Sequence, residues 1–277
     1  MCIKNMEEMT WKEFDKLDKE TTVVMVALSP IEEHGPHLPL GTDFIVANDC
    51  LLEVVNYLEK KESNFNYIVH PPFPIGYNEN VMNFPGTIFY RSKTVENLLI
   101  DFGESIARSG INKIIIINHH LDLGHIKAIE NAREYLLEKL NVQLLEVASR
   151  IIYSEENSKD NIKNEANSQQ EIHADIRETS FMLYKHPELV GNCYNELEPV
   201  YLDMKKFIMF GGKCFRESGI IQGYIGSPGN STAKFGEKQF EDMITQTGNI
   251  ILKFLQGGTI PEISSRMKLV MNHMEWR

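Results

Sequence analysis

The sequence predicts an α/β protein with a mostly parallel sheet covered by helices on both faces. Three observations carry this expectation. Val23-Val24-Met25-Val26-Ala27-Leu28 and Lys113-Ile114-Ile115-Ile116-Ile117 are continuous apolar runs of strand length, the pattern of strands buried on both sides. Strand, loop and helix patterns alternate along the chain, which is how parallel strands are joined. Both apolar runs also open directly into polar loops, and ligands of open α/β sheets bind beyond the carboxyl ends of strands.

Taken in order, Trp11-Lys12-Glu13-Phe14 begins a short amphipathic helix ahead of the first strand. After that strand comes a loop from Ser29 to Thr42, dense in Pro, Gly, His and Glu. A helix from Phe44 to Lys60 follows, with Val46, Leu51, Val54, Val55 and Leu58 as its apolar stripe. Tyr67-Ile68-Val69 is a brief strand, and a loop from His70 to Thr87 succeeds it. Ser92 to Ser109 reads as helix, turning Val95, Leu98, Leu99, Phe102 and Ile106 inward. The isoleucine strand at 113–117, β-branched at its four apolar positions, runs into Asn118-His119-His120-Leu121-Asp122. A helix from Ile126 to Leu140 and a strand from Val142 to Val147 continue the alternation. Ser154 to Gln170 is rich in Asn, Lys and Glu and reads as an exposed excursion. No linker, low-complexity tract or repeat divides the chain, so residues 1–277 are expected to form one domain.

Composition narrows the function. Of 277 residues, 42% are hydrophobic and 24% charged, an ordinary globular balance with enough apolar material for a large core. A formal net charge of −11, with no basic run interleaved with aromatics, argues against nucleic acid as a partner. Cys2, Cys50, Cys193 and Cys214 are scattered without a CxxC pair, as free thiols of a reducing compartment are. The first residues lack the apolar core of a signal peptide. Apolar runs of about six residues fall far short of the ~20 that span a bilayer. A cytoplasmic protein with no membrane partner is the expectation.

Chemistry concentrates in the loops. In Ile31-Glu32-Glu33-His34-Gly35-Pro36-His37-Leu38-Pro39-Leu40-Gly41-Thr42-Asp43, imidazole and carboxylate occur together, a donor set suited to Zn, Mn or Fe. Glu32 and His34 are two apart, so an extended segment points both to one side. Asp43 arrives at the start of a helix, whose dipole favours a carboxylate. The alternative is a polar surface loop with satisfied histidines. His119, His120 and Asp122 leave the isoleucine strand at the same sheet edge. Two adjacent histidines are not expected to face one ion from a strand end; His120 is the expected ligand, with Asp122 beside it. A third cluster, Glu171-Ile172-His173-Ala174-Asp175-Ile176-Arg177-Glu178-Thr179-Ser180, offers His173 as proton carrier near neutral pH and Glu178 as its partner or a further ligand.

These segments resemble a known family. Glu32-x-His34-Gly35-x-His37-Leu38-Pro39 with Thr42-Asp43 is similar to the first signature of the creatininase (creatinine amidohydrolase) family. Asn83-Phe84-Pro85-Gly86-Thr87 resembles its FPGT loop, Asn118-x-His120 its NGH turn, and His173-Ala174 with Glu178-Thr179-Ser180 its H-A/G…ETS motif. Gly226-x-Pro228 with Thr232-Ala233 and Gly236-Glu237 is similar to its C-terminal turn. The five motifs occur in order from about Met9 to Leu252.

The resemblance implies a three-layer α/β/α sandwich, a homo-oligomer (often a hexamer) and two divalent metal ions per subunit, Zn, Mn or Fe. Carried onto this chain, Glu32, Asp43 and His120 hold one ion. His34, Asp43 and a further carboxylate, Asp122 or Glu178, hold the other, with Asp43 bridging and His173 catalytic. The implied activity is hydrolysis of a small cyclic amide-like substrate by a metal-activated water. Departures point away from creatinine itself: Ile172 replaces a Glu, His119 a Gly and Leu121 a Tyr, and no Trp occurs between Trp11 and Trp276. Tyr77, Asn78 and Glu79 in the polar loop Gly76–Asn80, together with Leu121, are the expected substrate contacts, suited to a hydroxyl-rich ligand. Ring-opening carbon–carbon hydrolysis of a diketo-inositol such as 3-dehydro-scyllo-inosose, in inositol degradation, is the alternative activity. A metal-binding protein without turnover is the second.

Overall fold

Two strands buried on both faces need cover on both faces, and the computed structural model supplies it. It describes residues 3–62, 64–155, 171–209, 212 and 214–273. A five-stranded sheet is built from β1 (Lys4–Asn5), β2 (Thr22–Ala27), β3 (Asn66–Val69), β4 (Lys113–Ile117) and β5 (Gln143–Glu146), in the order β1-β3-β2-β4-β5. All four pairings are parallel, and β4 meets β2 with Val24 opposite Ile114 and Ala27 opposite Ile117.

Alternation along the strands divides the core. Val23, Met25, Ile115 and Ile117 face one side, where α2 (Thr42–Lys61), α6 (Ile176–Lys185) and α8 (Ala233–Leu255) contribute Leu51, Val54, Phe181, Phe240 and Ile251. Val24, Val26, Ile114 and Ile116 face the other, against Val95, Leu99 and Ile106 of α3 (Ser92–Arg108) and Ile129, Ala132 and Leu136 of α4 (Leu123–Leu140). The architecture is a three-layer α/β/α sandwich. Short helices α1 (Trp11–Asp15), α5 (Ala148–Ile152) and α7 (Met204–Met209), and α9 (Ser265–His273), complete the helices described.

The expected elements are present with ends shifted by a residue or a few. Leu98 and Phe102 are half-buried against the second core half. Helix α4 starts three residues before Ile126 because the Asp122 carboxylate accepts the Gly124 N–H and caps it there. The edge strand β1 and the helices α5, α7, α8 and α9 are not among the elements expected from the sequence. The two-residue edge strand β1 is held by its register with Ile68 and Val69. Helices α8 and α9 lie in the C-terminal part of the chain, α8 beginning inside the Thr232-Ala233 to Gly236-Glu237 motif. At α8 the approach to α6 is so close that a Cβ on Gly236 would stand 1.9 Å from the Ser180 carbonyl oxygen. Of the polar excursion from Ser154 to Gln170, residues 156–170 lie outside the described residues, as do Cys2 and Trp276. Cys50, Cys193 and Cys214 are free thiols.

Candidate metal centre

The carboxyl ends of β2 and β4 lie side by side in the sheet, so the loops leaving them meet. Asp43 enters from above as the second residue of α2, in the first turn, where the helix dipole favours its charge. His120 is placed by its own strand end. The Asn118 side chain accepts the His120 N–H at 2.9 Å and donates to the His120 carbonyl at 2.6 Å, while Ser29 donates to the same Asn118. Helix α6 delivers Glu178. Asp175 caps that helix, accepting the N–H groups of Arg177 and Glu178, and its other oxygen is clamped by the Arg177 guanidinium at 2.6 Å. Ala174, between His173 and this cap, is held at φ 47°, a left-handed conformation that costs a non-glycine residue energy. Its N–H donates to Glu178 at 2.5 Å.

Three buried groups of candidate ligands result, each with its donor atoms within 4.8 Å of one another: Glu32, Asp43 and His120; His34, Asp43 and Glu178; Glu32, His34 and His173. The first two share Asp43 through opposite oxygens. His120 Nδ1 lies 3.1 Å from Oδ2 and 3.3 Å from Glu32 Oε1; His34 Nε2 lies 3.5 Å from Oδ1 and 3.8 Å from Glu178 Oε2. Two atoms bound tetrahedrally at about 2.1 Å from one ion sit about 3.4 Å apart, so these spacings suit a cation between them.

The remaining ring nitrogens point the same way. His34 Nδ1 is 3.1 Å from the Glu32 carbonyl, His120 Nε2 2.8 Å from the Tyr77 carbonyl, and His173 Nε2 2.9 Å from the Glu33 carbonyl. A carbonyl accepts only from a ring N–H, so in each imidazole the nitrogen facing the carboxylates is the one free to give up its proton and ligate, as in metal-binding histidines. Glu32 Oε2 and His34 Nε2 are buried without a hydrogen-bond partner. A cation answers both. The residues fit a divalent metal.

Electrostatics agree. Burial works against charge on His34, but the neighbouring Asp43, Glu178 and Glu32 carboxylates outweigh it and raise its pKa to about 10. His120 is likewise raised well above its ordinary value, against burial, by Glu32 and Asp43. His173 is raised to about 9, where burial and His34 oppose the charge and the Glu33 and Glu32 carboxylates prevail. Burial pushes Asp43 up, yet His34 and the hydrogen bonds from three imidazoles hold it well below the carboxylate range. The pocket demands positive charge, and metal ions displace such protons.

Other expected residues are placed differently. Asp122 belongs to none of the three groups; besides capping α4, it accepts Asn80 Nδ2 at 2.8 Å, and burial raises its pKa to about 6. Tyr77, Asn78 and Glu79 are buried, Tyr77 with its carbonyl against His120: the Tyr77 hydroxyl donates to Glu79 at 2.5 Å, and the Asn78 amide lies 3.4 Å from the Ile88 carbonyl. Leu121 is half-buried, its carbonyl accepting the Tyr153 hydroxyl at 2.7 Å.

Residues outside the expected catalytic, metal and substrate set stand behind these. Glu33 Oε1 is 3.2 Å from His173 Nε2, and its other oxygen accepts the Gly35 N–H. Opposite lies Gly223, at φ 77°, where any Cβ would fall 1.9 Å from Glu33 Oε2. Next to it, Ile225 pairs antiparallel with His173, both N–H groups donating across. His125 Nδ1 is 3.4 Å from the Tyr77 N–H, and burial beside His120 keeps it neutral. His37 Nε2 sits 2.8 Å from the Thr179 hydroxyl and is lowered to about 4 by burial, His34 and His173. Glu33 lies inside the same loop as Glu32 and His34, which is the one signal that marks it.

Comparison with known proteins gives a consistent picture. The family model described as creatinine amidohydrolase matches residues 7–251. Over 233 residues, 83% of this chain and 84% of the relative, the sequence is 28% identical to a mycofactocin precursor peptide peptidase of Mycolicibacterium smegmatis. Among solved structures, a creatininase in a Mn form superposes with a TM-score of 0.70 at 17% identity, covering 92% of this chain and 99% of that one. A mutant creatininase of Zn-Zn type gives 0.70 at 16% identity with the same coverage. At such identities the structural likeness is one of fold. No helix among the described residues is long and apolar enough to cross a membrane.

Proposed function

The chain belongs to the creatininase family of hydrolases acting on C–N bonds, and from that premise we propose that it cleaves a peptide amide with two divalent cations bound side by side. One would be held by Glu32, Asp43 and His120, the other by His34, Asp43 and Glu178, so that Asp43 would serve both. The observation that carries this reading is the common orientation of three imidazoles, each giving one N–H to a backbone carbonyl and turning its other nitrogen on the same carboxylates. Bound there, the cations supply a water of near-neutral pKa and an electrophile for the substrate carbonyl.

The side chains have separable tasks. Glu32, Asp43 and Glu178 carry the negative charge that retains the cations. His173 moves the proton: its Nε2 is anchored on Glu33, so the exchange takes place at Nδ1, which lies 3.8 Å from Glu32 Oε1. Water adds to the carbonyl carbon, the C–N bond breaks, and the amine leaves with the proton that His173 passes on. A peptide is favoured over a cyclic amide because the relative matched over 83% of the chain bears the name of a peptide peptidase.

Elemental analysis with an amine-release assay on a peptide panel tests this. Wild type is expected to bind two ions per chain and free an amine. Asp43→Ala should lose both ions and all turnover; retained metal in that variant refutes the bridging role. His173→Ala should keep both ions while kcat falls by about 10²–10⁴. A carboxylate product without amine would instead favour carbon–carbon hydrolysis of a diketone, and uptake of ions without any turnover would favour a binding protein.

A further inference from the structure

Three imidazoles lie against Asp43, and only two of them belong to the candidate ligand groups among the described residues. The third is His119, whose Nδ1 is 3.2 Å from Asp43 Oδ1. That oxygen is the one facing His34; Oδ2 faces His120. Resting on the two-cation reading above, we propose that His119 is a positioning residue: it donates its Nδ1–H to Oδ1 and fixes how Asp43 meets the cation shared with His34 and Glu178.

The placement of His119 is determined from two sides. Its backbone N–H donates to the Ser29 hydroxyl at 3.0 Å, and that hydroxyl donates in turn to Asn118. Its ring meets Phe181 edge-on, at 5.7 Å between centroids and 71° between planes. Phe181 belongs to α6, the helix that brings Glu178. One imidazole thus touches the shared carboxylate and the element carrying the other acid of the same group. A carboxylate with one free oxygen can rotate about its Cβ–Cγ bond. With His119 donating to Oδ1, that rotation is restrained and the remaining lone pair of Oδ1 keeps one direction. A nitrogen engaged as donor cannot ligate as well, so His119 acts through Asp43 and leaves the ion to the others.

The test is zinc titration of metal-stripped protein, read by calorimetry, with the visible spectrum of the cobalt-substituted form as a second signature. Wild type should take up two ions. His119→Ala should weaken one of them by about 10–100-fold and leave the other unchanged. His119→Asn, whose side-chain N–H can occupy the Nδ1 position, should recover most of the loss and a parent-like cobalt spectrum. An alanine variant that binds both ions as tightly as wild type overturns the proposal. So does an asparagine variant as weak as alanine, since packing on Phe181 would then be the cause. If the alanine variant does not fold, the cobalt spectrum of His119→Asn decides alone, a changed spectrum counting against the role. A wild-type protein that takes up fewer than two ions overturns the two-cation reading instead, before any variant is made.

Discussion

Single residues in this site are constrained by what stands behind them. Gly223 has no room for a methyl group, because the Glu33 carboxylate occupies the position and φ is 77°. Gly223→Ala is expected to cost more than about 1 kcal/mol in denaturant unfolding and to lower turnover by moving Glu33 off His173; unchanged kcat with the protein folded would show that Glu33 is not needed. Ala174 presents the opposite case. At φ 47° it is strained, so Ala174→Gly should be neutral or stabilising while a β-branched residue there should destabilise. Melting curves of the two variants check the sign. The sequence made Glu32, His34, Asp43 and His120 legible because their chemistry is unusual for loops. It marked Glu33 only by its loop and could not reveal its role, since Gly223 is 190 positions away, nor the reach of His119, which depends on how Ser29 and Asn118 pin the strand end.

At the level of elements, legibility followed burial. The isoleucine run of β4 could be read directly because both its faces are covered, and α2 and α3 because each has one apolar stripe. The two-residue β1 carries no pattern of its own; its neighbour β3 makes it a strand. Helix α6 matters most for the site, since its first turn carries Glu178. Asp175 caps it with two backbone acceptances and an Arg177 clamp. Asp175→Ala should therefore cost about 0.5–2 kcal/mol of stability. On the two-cation proposal it should also loosen an ion at His34 and Glu178 more than one at Glu32 and His120. Equal loss at both, in the same zinc titration, would mean that α6 is not a separate support.

Across the whole molecule, charge balance in the pocket governs the response to pH. In metal-free protein the raised values of His34, about 10, and His173, about 9, make their protonated forms stabilising. That contribution is full below pH 6.5, the ordinary histidine value, and drains away as pH climbs through 9 to 10. Metal affinity runs the other way, since bound ions release those protons. Melting temperature of the stripped protein should fall between pH 6.5 and 10, and the gain from added zinc should widen; a stripped protein that becomes more stable over this window contradicts the charge reading. The order of the chain adds one thing more. Glu32, Asp43 and His120 are all synthesised within the first 120 residues, whereas Glu178 follows only after another 58. A chain growing between these points holds every member of one candidate trio and lacks a member of the other.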